Sequence, residues 1–135
     1  MISSGNEELA AGTNIAGKFK KIYASKYRYD HHGVAVWPVL VVNYANKTQF
    51  LFRINKGALD AHDRKGVNRY VPHEERPFPF ANMIFVGDGE TDVPCFRLVK
   101  DLGGCSIAVN QSHSQKRGRP DALCCSGRLF SGQEG

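Results

Sequence analysis

Two aspartates four residues apart, Asp88 and Asp92 in the run Gly87-Asp88-Gly89-Glu90-Thr91-Asp92, are the residues whose types and spacing best suit chemistry. They follow the apolar run Met83, Ile84, Phe85 and Val86, which has the length and composition of a buried strand. In open α/β sheets ligands bind at that carboxyl end, and paired carboxylates there suit a metal ion. The bland reading of the same pair is a turn aspartate and a carboxylate in the first turn of a helix. Lys47 is a second candidate, because it falls at the expected start of a helix, where the helix dipole disfavours a cation. His31-His32 form an adjacent pair, but neighbouring side chains on extended backbone point opposite ways, so a solvated turn is expected there. Of the four cysteines, Cys95, Cys105, Cys124 and Cys125, none forms a C-x-x-C pair, so reduced thiols are expected rather than a zinc site.

These residues need elements to hold them. From Thr91 the apolar residues Val93, Phe96, Leu98, Val99 and Leu102 fall mostly at helical spacing, Pro94 lies in the first turn, and Gly103-Gly104 stops the run. Residues 106–109 read as a second strand, giving a strand, helix, strand unit around the acidic turn. Residues 20–29 alternate, residues 30–33 form a turn and residues 34–42 are β-branched around Trp37, which together predict a β-hairpin. Asn46 is expected to cap a helix over residues 47–54, ended by Asn55-Lys56-Gly57. At the start of the chain Met1 and Ile2 suggest only the last residues of a strand, with Ser3-Ser4-Gly5 in a loop. Asn6 then caps a short helix to about Ala11, with Ile15 and Phe19 packed beneath it. Residues 58–80 show no sustained periodicity and are expected to be a long loop.

A chain of 135 residues with 41% hydrophobic and 23% charged residues suits a single globular domain. No stretch approaches the roughly 20 apolar residues of a membrane span, and no basic region followed by an apolar run opens the chain, so a cytoplasmic protein without a membrane partner is expected. The net charge of +5 admits an anionic partner, phosphate, nucleic acid or an acidic membrane surface, but so modest a surplus more often serves solubility, and a nucleic-acid partner is not expected. Residues 110–135 hold few large apolar side chains and cluster Lys116, Arg117 and Arg119, which reads as a divergent, poorly ordered basic tail.

Gly87-Asp88-Gly89-Glu90-Thr91-Asp92 at a strand end resembles the fourth motif of the haloacid dehalogenase superfamily, in its phosphoserine phosphatase-like branch. Lys47 in Asn46-Lys47-Thr48-Gln49 is similar to the third motif, and Ser3 in Ile2-Ser3-Ser4-Gly5 to the second. The resemblance covers residues 1–109. It implies an α/β fold, a Rossmann-like parallel sheet with flanking helices, here with an added β-hairpin. It also implies Mg2+-dependent hydrolysis of a phosphorylated small molecule through an aspartyl-phosphate. On that resemblance Asp88 and Asp92 are the metal residues, Asp88 as ligand and Asp92 behind it. Lys47 and Ser3 are the catalytic charge-stabilising residues, and Ser3, Ser4, Gly5 and Lys47 hold the phosphate.

One departure is decisive for activity. The family's nucleophile and general acid come from a D-x-D motif on the central strand, and the aspartates here are Asp30, Asp60, Asp63, Asp88, Asp92, Asp101 and Asp121, no two separated by one residue. Loss of a covalent nucleophile costs up to roughly 10⁶ in rate. The chain is therefore expected to be the later part of such a phosphatase, inactive alone, holding Mg2+ weakly and lacking the central strand. Its exposed sheet edges would favour self-association. The alternative is a non-catalytic basic module that binds an anion, nucleic acid or an acidic protein.

Overall fold

The computed structural model describes residues 1–109, so the basic cluster at Lys116, Arg117 and Arg119, the cysteines Cys124 and Cys125 and the tail reading for 110–135 lie outside the described residues. The chain is α/β, with strands in two small sheets, and it divides into two compact units, Met1–Pro77 and the part from Phe78 onward.

The first unit begins with strand β1 (Ile2–Asn6), five residues rather than the expected two. It pairs in parallel with β2 (Tyr23–Tyr29), and the register sets Ile2 against Tyr23 and Asn6 against Ser25. Four steps along β1 match two along β2, so Ser3, Ser4 and Gly5 bulge out of the ladder instead of following it as a loop. Between these strands lies α1 (Glu7–Ala11), whose first turn carries the two glutamates and whose Ala10 is buried. Asn6 makes no side-chain cap bond there, and Ile15 and Phe19 are exposed rather than packed beneath the helix.

The expected hairpin is present: β3 (Ala35–Leu40) runs antiparallel to β2. Asp30 builds its turn, with Oδ1 accepting from the backbone N–H of His32 and of Val34, both at 2.9 Å, while Gly33 takes the left-handed φ of 78°. Because the backbone turns here, the His31 and His32 rings lie 3.8 Å apart rather than on opposite sides.

Helix α2 (Lys47–Asn55) matches its expected span, but Asn46 does not cap it. Asn43 holds the turn that leads into it: its Oδ1 accepts from the N–H of Ala45 and Asn46, and its carbonyl accepts from Lys47 N–H at 3.0 Å. Asn46 instead ties the preceding turn to the strand end, donating from Nδ2 to the Val41 carbonyl at 2.7 Å. The core of this unit joins Tyr23, Val42 and Phe50, with Ile2 and Ile54 against them, so β1, β2 and α2 share one apolar centre. Tyr23 and Phe50 rings are 4.8 Å apart.

Residues 58–80 are not the long loop that their sequence suggests, since they contain α3 (Arg64–Asn68) and two short 3-10 turns, His73–Glu75 and Phe80–Asn82. Asp63 caps α3, accepting from Gly66 N–H at 2.8 Å. Side chains of α2 and its end hold the segment by its backbone. Arg53 donates to the carbonyls of Asp60 and Asp63, and Lys56 to those of Val67 and Arg69.

In the second unit, β4 (Ile84–Gly87) and β5 (Cys105–Ala108) pair in parallel in regular register, joined by α4 (Val93–Asp101). This is the expected strand, helix, strand unit. One face of the pair packs on α4, where Phe85 meets Phe96 edge-to-face at 5.4 Å and the Ser106 hydroxyl donates to the Phe96 carbonyl. The other face leaves Ile84, Val86 and Ile107 exposed, so β4 is a half-covered strand and not the buried one its composition suggests. Gly104 is obligatory between α4 and β5: a Cβ there would strike the Phe80 carbonyl oxygen and Val99.

Candidate functional site

The acidic turn of the second unit leaves β4 at Gly87. Asp88 is exposed at the carboxyl end of that strand, and Asp92, only 6% exposed, sits at the entrance to α4 after a 3-10 turn (Glu90–Asp92). The chain reverses there because Asp92 N–H donates to the Gly89 carbonyl at 3.0 Å and Pro94 occupies the first helical turn, where no N–H is needed. The Asp92 carboxylate lies against the Cα of Gly87: a Cβ at residue 87 would stand 2.7 Å from Oδ2 and 2.8 Å from Cγ. Gly87 is thus fixed by close approach. Gly89 is not, since its backbone is extended (φ −130°) and the nearest atom to a Cβ there would be 3.7 Å away. The two aspartates therefore have different surroundings: Asp88 presents its carboxylate to solvent, and Asp92 packs the turn from beneath. Of the pair only Asp88 is open to a ligand from solvent. Among the described residues no group of three His, Cys, Asp or Glu side chains comes together as a metal site.

In the first unit, Lys47 opens α2 and is buried, 4% exposed, so it is not the solvated lysine that its position could have been. Burying an ammonium next to the positive end of a helix is costly unless other groups compensate it. Ser3 lies half-buried in the β1 bulge, and its Oγ accepts from Gly5 N–H at 3.1 Å. That bond engages the Gly5 N–H that the family resemblance would offer to phosphate. Ser4 is exposed, and its carbonyl accepts from the Ser25 hydroxyl at 3.3 Å. Since α2 packs on β1, Ser3 and Lys47 belong to neighbouring elements of one unit.

The buried polar groups Arg53 and Asn55 escape sequence reasoning. Both are within 5% exposure, and Asn55 Oδ1 accepts from Arg76 at 3.2 Å. Arg53 sits in the last turn of α2, where a basic residue is expected for the dipole alone, so nothing local signals its burial. Cys95 is buried and Cys105 half-buried, and neither forms a disulfide among the described residues.

No family model matches the chain, and no solved structure matches it. An uncharacterized protein of Borreliella burgdorferi is 25% identical over 116 residues, a match that covers 76% of this chain and 39% of that protein. The chain thus spans about two fifths of the length of the curated relative it matches.

Proposed function

We propose that this chain carries part of the phosphoryl-transfer machinery of a Mg2+-dependent phosphomonoester hydrolase of haloacid dehalogenase type, and that it does not turn over substrate by itself. The observation that carries this reading is the turn after β4, with an exposed Asp88 at the carboxyl end of a parallel strand and Asp92 packed against Gly87 behind it. In the second unit Asp88 would be the carboxylate ligand of Mg2+, and Asp92 would hold the turn in shape rather than touch the ion. The ion, when bound, would neutralise phosphoryl oxygens. In the first unit the Lys47 ammonium would supply positive charge to the same kind of group, which gives its burial at a helix start a purpose. The Ser3 hydroxyl can accept from Gly5 N–H and still donate its own proton to an anion. The finer expectations, the Rossmann-like core with its central strand absent, a cytoplasmic location and a phosphorylated small-molecule substrate, belong to this proposal.

No aspartate pair of this chain has the D-x-D spacing, so no residue takes the nucleophile's part. With p-nitrophenyl phosphate and Mg2+ the expected result is no turnover above buffer, and turnover abolished by Asp88→Ala would overturn the inactivity. Metal binding is tested separately by Mn2+, whose paramagnetism should broaden the NMR signals of residues 87–92. Equal broadening in Asp88→Asn would remove Asp88 as the ligand.

A further inference from the structure

The first unit holds a cavity of about 170 Å³ whose lining includes neither Ser3 nor Lys47. β3 ends at Leu40, opposite Lys26 on β2, and Glu7 at the start of α1 reaches the same Lys26. The Tyr23 hydroxyl donates to the Leu59 carbonyl at 2.7 Å, which brings residues 60–62 to that end of β2. The cavity is the space these segments leave between them. A volume of about 170 Å³ is that of about six waters, too small for a drug-sized or nucleotide-sized ligand. Ile22, Ala24, Leu40 and Ala61 give it apolar walls.

The charged groups of its lining balance. They are Lys21 and Lys26 against Glu7 and Asp60, with the His62 imidazole beside them. Lys26 and Glu7 satisfy each other at 3.0 Å. Among the described residues neither Lys21 Nζ nor the Asp60 carboxylate forms an ion pair. Lys21 Nζ stands 5.9 Å from the centroid of the Tyr23 ring, a contact that leaves its N–H donors unspent. Asp60 Oδ1 accepts from His62 N–H at 2.9 Å, which fixes the carboxylate and leaves Oδ2 open. A phosphate would be repelled by Glu7 and Asp60, and a metal ion by Lys21 and Lys26. A molecule that carries both an ammonium and a carboxylate gains at each unspent group.

We propose that this cavity binds a free α-amino acid with a small aliphatic side chain. The ligand carboxylate meets Lys21 Nζ, its ammonium meets the Asp60 carboxylate, and its side chain lies on the apolar walls. Apolar walls with a few placed polar groups are what a small-molecule site consists of. Lys21, Asp60 and His62 are exposed, so the ligand enters from solvent, and among the described residues no helix is long and apolar enough to cross a membrane. Such binding is independent of the phosphoryl chemistry proposed for the acidic turn.

The full chain, labelled with nitrogen-15, is titrated with L-leucine and followed by its amide NMR signals. The expected result is a saturable shift of residues 21–24 and 60–62. N-acetyl-leucine lacks the ammonium and leucine amide lacks the carboxylate, so each should bind about fivefold more weakly or worse. Lys21→Gln should weaken leucine by about fivefold and leave leucine amide unchanged. Asp60→Asn should weaken leucine by about fivefold and leave N-acetyl-leucine unchanged. Both side chains are exposed, and asparagine keeps the Oδ1 acceptor for His62 N–H, so signals away from the cavity should not move in either variant. Three outcomes would overturn the proposal. One is no saturable shift up to about 20 mM leucine, which leaves the cavity to water. Another is N-acetyl-leucine binding as tightly as leucine, which reduces the site to an anion contact at Lys21. The third is equal leucine affinity in the wild type and both variants, which places the contact outside the cavity.

Discussion

Replacing Gly87 by alanine tests whether the acidic turn is held by close packing. The added Cβ would lie 2.7 Å from Asp92 Oδ2, 2.8 Å from its Cγ and 2.9 Å from its Cβ, all shorter than real contacts of a methyl carbon. Asp92 is buried at the head of α4, so it cannot swing away freely. Overpacking of this kind costs about 1–3 kcal/mol. At residue 89 the same change meets nothing closer than 3.7 Å on extended backbone, so Gly89→Ala should be neutral or stabilise by up to about 1 kcal/mol through the unfolded chain. The assay is hydrogen exchange of the amides in residues 84–87 and 105–108, because β4 and β5 form one ladder that opens together. Gly87→Ala should speed exchange by roughly 5- to 150-fold, the factor that 1–3 kcal/mol represents, and Gly89→Ala should leave it unchanged or slower. Equal effects of the two substitutions, or wild-type exchange in Gly87→Ala, would refute the argument that Asp92 braces the turn through Gly87.

Alkaline pH should weaken the first unit through Tyr23. Burial raises its pKa above the ordinary 10.0, with Arg53 opposing and Asp60 adding to the rise, and its hydroxyl donates to the Leu59 carbonyl at 2.7 Å. The folded chain therefore keeps this proton more tightly than the unfolded one. The stability it contributes is complete below pH 10 and lost as pH rises through the raised folded value. Urea midpoints followed by circular dichroism should fall above pH 10 in the wild type and fall less in Tyr23→Phe, and identical profiles would refute this. Arg53→Ala should destabilise the chain by about 1–3 kcal/mol, because two part-buried carbonyls lose a charged donor. Limited proteolysis should then open residues 58–69, and an unchanged cleavage pattern would show that this segment is held by other contacts.

Much of the fold is legible in the string. The β4, α4, β5 unit announces itself by an apolar run, a Gly-Asp-Gly turn, helical spacing and paired glycines, and the hairpin by Asp30 and Gly33 between β-rich segments. These signals are local, which is why they survive without tertiary information. Asn46 is the expected cap of α2, but in the folded turn its side chain is taken up by Asn43 N–H and the Val41 carbonyl. Residues 60–69 are held without a periodic signal because the Arg53 and Lys56 side chains, 7 to 13 residues earlier, bond their carbonyls.

Residue types and spacing alone singled out Asp88, Asp92, Lys47 and Ser3 as the candidates of the proposed phosphoryl chemistry, and no two aspartates stand in D-x-D spacing beside them. Tertiary structure decided what each can do. Asp92 is buried against Gly87 while Asp88 faces water, Lys47 is buried, and Ser3 lies in a strand bulge with its oxygen engaged by Gly5. Burial and hydrogen-bond partnership arise from chain segments far apart in sequence, so residue type and spacing alone do not fix them.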